Sequence, residues 1–262
     1  MIAHIILERK EVAKRVENNN ENKDYKNKIV SYTNPKSIVS ESFRALRTNL
    51  EFSMSQDNKK IILFTSSHVS EGKSSCAANL AAVFAMQGKK TLLIDADMRR
   101  GVQHKNFSVE KQNGLSNFLS NVGFKTQGFF KQTEISNLIV ISCGTTPPNP
   151  AELLSSHRFK KLLDDYKAFY DVIIIDGAPV LPVTDSVIVA PLVDKIVIVA
   201  SYGETHKDEL KLVKTTLENS GGDIAGVVLN KVDSRTSGYS KYGKYRKYNS
   251  NYYAYYSNDE KK

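Results

Sequence analysis

The sequence has little cysteine, no long apolar run and, at its C-terminal end, no Val, Ile, Leu, Met or Phe. Cys76 and Cys143 are its two cysteines, too few for a disulfide framework, which points to a reducing compartment. Both sit among apolar neighbours, where cysteine behaves as a small buried residue. No stretch approaches ~18 uncharged apolar residues, so no membrane-spanning helix is expected. The opening, MIAHIILERKEV, lacks the order of a secretory signal. From Arg235 to Lys262 there is no Val, Ile, Leu, Met or Phe, so this segment has little with which to build a core and is expected to stay mobile. These absences together predict a cytoplasmic chain that reaches a membrane only through its basic ends or a partner.

What the C-terminal segment does contain is tyrosine. Eight of the thirteen in the chain fall there, Tyr239, Tyr242, Tyr245, Tyr248, Tyr252, Tyr253, Tyr255 and Tyr256, interleaved with Ser, Asn, Gly, Lys and Arg. The charge is also concentrated at the ends. Of a net +9, residues 235–262 supply seven Lys/Arg against two acids, and residues 1–30 supply seven against five. Taken alone, such a tail is a solvated low-complexity terminus; it could also stack on single-stranded nucleic acid or lie on anionic lipid. A ladder of accessible phenols equally has the form of a substrate, provided the rest of the chain can transfer something to it.

At 262 residues the chain is long enough for one large domain with appendages. We divide it into an N-terminal extension and linker (1–30), a central domain (31–234) and the tail (235–262). Within the domain, apolar runs at 61–65, 91–95, 137–143, 172–176, 195–201 and 225–230 alternate with helix-length segments near 73–87, 150–167, 184–192 and 206–219. A further helix is expected over Glu41 to Phe52. Near-continuous Ile/Val/Leu runs separated by helices are what a mostly parallel sheet covered on both faces requires. The expected fold is therefore a doubly wound α/β domain of the P-loop NTPase kind.

The first central run is followed by Ser67-His68-Val69-Ser70-Glu71-Gly72-Lys73-Ser74 and then by a helical segment beginning at Ser75. A strand, a tight turn and a helix start aim backbone N–H groups and a helix dipole at phosphates. In that arrangement Ser70 to Ser75 line the phosphates, with Lys73 on the β- and γ-phosphates and the Ser74 hydroxyl on Mg²⁺. The second run ends Asp95-Ala96-Asp97-Met98-Arg99, and the fourth delivers Asp176 to the same sheet edge, where ligands of open α/β sheets bind. Asp176 stands where a Walker B acid holds Mg²⁺. A phenol with a pKa near ~10 also needs a group to take its proton, and Asp95 or Asp97 is the nearest candidate. The last run ends Asn230-Lys231-Val232-Asp233, which reads as the guanine-recognition NKxD of GTPases. The phosphate loop lacks its first Gly, however, and Asp176-Gly177-Ala178-Pro179 is not a DxxG; Asn230 is kept as a base contact.

The variant Walker A at Ser67 to Ser74, the Walker A′ with Asp95, Asp97 and Arg99, the Walker B ending in Asp176 and the tyrosine cluster resemble, in combination, the bacterial tyrosine kinases that regulate capsular and extracellular polysaccharide synthesis. Glu41, Arg44 and Arg47 match that family's ExxRxxR helix, and Pro147 to Leu153 resemble a further family segment. The resemblance implies ATP and Mg²⁺ as cofactors, with Lys73 and Ser74 on the nucleotide, Asp97 and Asp176 serving the metal, and Asp95 assisting the tyrosine hydroxyl. It also implies autophosphorylation of the tail and a ring of subunits joined through Glu41, Arg44 and Arg47. The implied partners are a membrane activator or polysaccharide co-polymerase and a cognate tyrosine phosphatase, with no nucleic acid. Two departures stand out: Gly-Ala-Pro follows Asp176 where the family commonly has Thr-Pro-Pro, and residues 1–30 have no family counterpart. The alternative is an ATPase switch like MinD or ParA, binding membrane or DNA through the basic tail. Such switches carry a lysine at the second loop position, which here is His68.

Overall fold

A computed structural model describes residues 29–54, 61–121, 124 and 127–232. The extension up to residue 28 and the eight tail tyrosines lie outside the described residues. Seven strands form one sheet: β1 (Ile61–Ser66), β2 (Thr91–Asp95), β3 (Lys131–Gln132), β4 (Leu138–Ile141), β5 (Val172–Asp176), β6 (Lys195–Ser201) and β7 (Ile224–Asn230). Their spatial order is β3-β4-β2-β5-β1-β6-β7. Every pairing is parallel except that of β3, which runs antiparallel to β4 at one edge. The doubly wound, mostly parallel sheet expected from the alternating pattern is present.

The strands at the centre are buried on both faces, as their unbroken apolar composition requires. One face is covered by α1 (Val30–Thr33), α2 (Ile38–Met54) and α3 (Lys73–Met86). Helix α3 is buried nearly all round, and its alanines explain how. Ala77, Ala78, Ala81, Ala82 and Ala85 let it lie close to the sheet while α2 packs over it with Phe43, Leu46 and Leu50. These three recur at helical spacing, so α2 presents one apolar stripe inward and leaves Glu41 exposed. A polar tie joins the outer layers: Ser31 N–H donates to Asn79 Oδ1 at 2.9 Å.

Helix α4 (Gln103–Asn106) lies beside α3 on that same face, with Phe107 in the same core cluster, whereas the opposite face carries α5 (Leu115–Ser120), α6 (Pro150–Ser155), α7 (His157–Tyr166), α8 (Asp185–Val189) and α9 (Lys207–Asn219). Phe159, Leu162, Leu163, Val213 and Leu217 pack there against Leu63, Ile173 and Ile175. Two expectations need correction. The helix expected over 150–167 is two helices, because Ser156 adopts an extended ψ of 146° and its Oγ accepts from Phe159 N–H, capping α7. The two-residue strand β3 and the helices α4 and α5 were not anticipated, being shorter than any periodic pattern can register.

Strand β1 is flanked by β5 on one side and β6 on the other. Its connection to β2 leads toward one edge and the later chain fills the other, which opens a crevice at the carboxyl end of β1. Leu46→Ala, which empties a buried site at the α2–α3 contact, should cost about 2–5 kcal/mol of stability. Urea unfolding of the variant measures this; a loss below about 1 kcal/mol would mean that α2 is not part of the cooperative core.

Candidate active site

Three carboxylates converge at the mouth of the crevice because neighbouring strands end in step. Asp95 and Asp176 are direct register partners at the ends of β2 and β5. Beyond β2 the chain stays on β5, with the N–H groups of Ala96 and Asp97 donating to the Asp176 carbonyl at 2.9 and 3.0 Å. That contact turns Asp97 inward, and its Oδ1 accepts from Arg100 N–H at 2.9 Å. All three acids are buried.

Lys73, the first residue of α3, faces them. Its ammonium donates to Asp97 Oδ2 at 2.9 Å, to Asp176 Oδ1 at 3.2 Å and to Ser74 Oγ at 3.1 Å. Burial by itself would lower the Lys73 pKa, but Asp176 and Asp97, backed by Asp95, outweigh it and hold the ammonium above its ordinary value. Asp95 shifts the other way for an acid: burial and then the charge of Asp176 push its pKa well up, only partly offset by the Gln103 N–H and Lys73.

The phosphate loop between β1 and α3 is tied down from several sides. Ser70 and Gly72 have positive φ, 65° and 97°. A Cβ on Gly72 would lie 1.9 Å from Asn230 Nδ2, so both the turn and the close approach need glycine. Asn230 Nδ2 donates to the Glu71 carbonyl at 2.8 Å, and Asn230 Oδ1 accepts from Lys231 N–H at 2.8 Å. The amide nitrogen of the residue expected to contact the base thus braces the loop, while its oxygen accepts from the next residue of its own chain. The Glu71 carboxylate accepts from His68 N–H at 2.9 Å and from the Thr205 hydroxyl. Ser66 Oγ donates to the His68 carbonyl at 2.7 Å.

The model of the AAA domain family matches residues 59–218 of this chain. The tyrosine-protein kinase YwqD of Bacillus subtilis is 41% identical over 202 residues, 77% of this chain and 85% of that protein. The kinase domain of the Escherichia coli tyrosine kinase Etk superimposes with a TM-score of 0.80 at 32% identity, covering 89% of this chain and 91% of that one. The chimerical protein CapA2B2 superimposes at 0.74 with 38% identity, over 79% and 91%. This chain belongs to the bacterial tyrosine-protein kinase family. MinD of Pyrococcus horikoshii shares the fold with a TM-score of 0.57 but only 19% identity, and the switch alternative gives way to the kinase.

For this tyrosine kinase, the structure brings Lys73, Ser74, Asp95, Asp97 and Asp176 together, with Ser70, Glu71, Gly72 and Ser75 in the adjoining loop and first helical turn. Glu41, Arg44 and Arg47 lie elsewhere, off the buried stripe of α2. There Arg44 pairs with Glu41 and donates to the Pro35 carbonyl at 2.6 Å, while Arg47 approaches Glu51 at 3.6 Å. Sequence reasoning missed Gln103. Its side-chain Nε2 donates to Asp176 Oδ2 at 2.8 Å and to the Ser74 carbonyl at 2.9 Å, while its N–H donates to Asp95 Oδ2 at 2.9 Å. No motif marks it, because its role comes from the fold of α4 against the sheet edge. Arg99 is bidentate to the buried Asp185, at 2.9 and 3.0 Å, a partner 86 residues away that no local spacing signals.

The Asp176-Gly177-Ala178-Pro179 departure has a local explanation. A Cβ at Gly177 would meet Ser186 Oγ at 2.5 Å and Leu63 Cδ1 at 2.7 Å. The Ala178 carbonyl accepts from Thr65 Oγ1 at 2.7 Å and from the Ser186 hydroxyl. The loop is pinned to β1 and α8 through its backbone.

Two outcomes follow from this geometry. Gly72→Ala should destabilise the protein by about 1–3 kcal/mol through the forced φ and the lost Asn230 bond, with nucleotide affinity falling in parallel; urea unfolding measures the first and calorimetric titration with ATP the second, and an unchanged affinity would show that the loop is not preorganised. Asp95 tests the electrostatics. A raised native pKa means that its favourable proton linkage is complete below the ordinary carboxylate range and is lost as pH rises through the native value. Asp95→Asn removes that loss, so its stability relative to wild type should increase between about pH 4 and pH 8. A flat difference across a urea-unfolding series in that range contradicts the assignment.

Proposed function

We propose that the chain is an ATP-dependent autokinase that phosphorylates the tyrosines of its own C-terminal segment, from Tyr239 to Tyr256, and thereby regulates capsular or extracellular polysaccharide synthesis. The observation that carries this reading is one lysine held among three buried carboxylates behind a phosphate loop. That donor set fits nucleotide and metal. Ser74, Asp97 and Asp176 supply the hard oxygen ligands that Mg²⁺ prefers, and the glycine-dependent turn at Gly72 leaves N–H groups at a helix N-terminus for phosphate. Mg²⁺, when bound, neutralises charge on the phosphates of ATP.

Lys73 exchanges its aspartate partners for phosphate oxygens when ATP enters, and stays charged because the phosphate charge takes the place of the Asp176 and Asp97 charges that hold its pKa high. Asp95 accepts the proton of the tyrosine hydroxyl. Its raised pKa brings it nearer to the phenol's, which makes the transfer less uphill than for an ordinary carboxylate. The phenolate oxygen then attacks the γ-phosphorus, the bond to the ADP oxygen breaks, and Lys73 stabilises the charge that develops there. Gln103 is a positioning residue, holding Asp95 through its N–H and Asp176 through its side chain. Arg99, anchored on Asp185, frames the same edge.

The segment 235–262 carries a net positive charge and the site a surplus of carboxylates, so the unmodified tail is electrostatically matched to it. Each phosphate adds about −1.5 to −2, reversing that match and releasing the tail. Glu41, Arg44 and Arg47 on α2 are proposed to join subunits in a ring, so that a tail enters its neighbour's site. Activation by the cytoplasmic part of a membrane protein and reversal by a tyrosine phosphatase complete the cycle. Among the described residues no helix is long and apolar enough to cross a membrane, so membrane association is assigned to that partner.

Incubation with ATP and Mg²⁺ should place phosphate on tail tyrosines, mapped by mass spectrometry, and Lys73→Met should lower the rate by about 10²–10³ or more. Equal labelling of the variant would refute the site. Mixing a chain truncated before residue 235 with a Lys73→Met chain that keeps its tail distinguishes the route: phosphate on the inactive chain shows transfer between subunits.

A further inference from the structure

Behind the catalytic edge, three side chains from separate parts of the chain meet: Asp95 at the end of β2, His104 in α4 and Cys143 just after β4. A carboxylate oxygen, a ring nitrogen and the Cys143 Sγ all lie within 4.8 Å of one another. Asp95 Oδ1 and His104 Nδ1 are both shut off from solvent without a hydrogen-bond partner, and the Asp95 side chain is wholly buried. Buried polar groups are nearly always satisfied, so an orphaned atom on each of two residues of this cluster points to a bound group that the residues share. Gly101 keeps the space open: a Cβ there would come within 2.5 Å of Cys143 Sγ and 2.7 Å of Asp95 Oδ2. A proton shared between Asp95 and His104 would need a hydrogen bond between the two, which they do not make, and would not involve the Cys143 thiol, whose weak donation to the Gly144 carbonyl spans 3.5 Å.

We propose that Asp95, His104 and Cys143 form a binding site for a thiophilic divalent cation, best matched by Zn²⁺, and that its occupancy inhibits the kinase by withdrawing Asp95 from the tyrosine hydroxyl. One sulfur, one imidazole nitrogen and one carboxylate oxygen are the donors that Zn²⁺ accepts in tetrahedral sites. Mg²⁺ takes oxygen ligands and does not compete for such a set. The site shares no ligand with Ser74, Asp97 and Asp176. On binding, the metal–sulfur bond forms as the S–H bond breaks and the thiol proton passes to solvent, with no change of oxidation state. The inhibitory half rests on the role given to Asp95 above; the binding half does not.

Cobalt is the probe for binding, because a thiolate ligand gives Co²⁺ a near-ultraviolet charge-transfer absorption that oxygen and nitrogen ligands do not. Titrating the full chain with Co²⁺ should develop that absorption to about one equivalent per chain, and Zn²⁺ should displace it. Cys143→Ser and Cys143→Ala, checked for folding by circular dichroism, should lose it, and His104→Gln should weaken binding about tenfold or more. An unchanged band in the folded Cys143 variants, or none in the wild type, overturns the site. For inhibition, micromolar Zn²⁺ at saturating ATP-Mg²⁺ should suppress wild-type autophosphorylation while leaving His104→Gln and Cys143→Ser near their own zinc-free rates. Equal suppression of all three overturns the inhibitory half. A chain without any kinase activity would refute the catalytic reading instead, and the cobalt absorption would still decide the site.

Discussion

Everything around the sheet edge is arranged about one ammonium group. Lys73 is buried with three carboxylates, of which it contacts two directly, so the cluster is short of positive charge. Burying ions costs several kcal/mol each even after relaxation, and a buried pair is rarely a net source of stability. The cluster persists because the backbone leaves the acids no alternative: register fixes Asp95 beside Asp176, and the continued pairing of residues 96 and 97 with β5 brings in Asp97. One measure of the imbalance is the rise in the Asp95 pKa. A second is Cys76, whose thiol is pushed up to about 12 by burial and by Asp176. A site built this way favours cations that enter and holds its own lysine until phosphate oxygens replace the aspartates.

The phosphate loop meets the complementary requirement of staying in place while its contents change. Its supports come from the other side of β1. Asn230 closes on Glu71 from β7, and Thr205 reaches the Glu71 carboxylate from the loop after β6. Exposed His68 meets Glu209 of α9 at 3.1 Å. Carboxylates therefore come from β2 and β5 on one flank and loop braces from β6 and β7 on the other, meeting where the strand order changes direction. A phosphate between them would be clamped by the two parts of the sheet that lie on opposite sides of β1.

That division explains what was legible beforehand. Strand-length apolar runs and the turn ending Gly72-Lys73-Ser74 are local signals, so the sheet, the phosphate loop and the three acids could all be read from the sequence. Gln103, Asp185 and Thr205 act across 73, 86 and 134 residues, and nothing in their immediate neighbours marks them. Asn230 shows the same limit in reverse. Its motif suggested a base contact and gave no sign that its amide nitrogen holds the Glu71 carbonyl across 159 residues. The break at Ser156 is marked by neither Pro nor Gly, and it is the capping bond from Phe159 N–H to Ser156 Oγ that starts the second helix.

Asp95 links the two levels. As a strand-end acid it was visible in the sequence, but its chemistry depends on what surrounds it. Gln103 satisfies Oδ2, which borders the space kept open by Gly101 beside Cys143, while Oδ1 is buried without a partner. A carboxylate so placed is poorly solvated, hence basic, and that basicity serves equally to take a proton from a phenol or to bind a soft cation. Both uses draw on the same buried carboxylate, so a metal held by His104 and Cys143 needs no contact with the nucleotide to control the reaction.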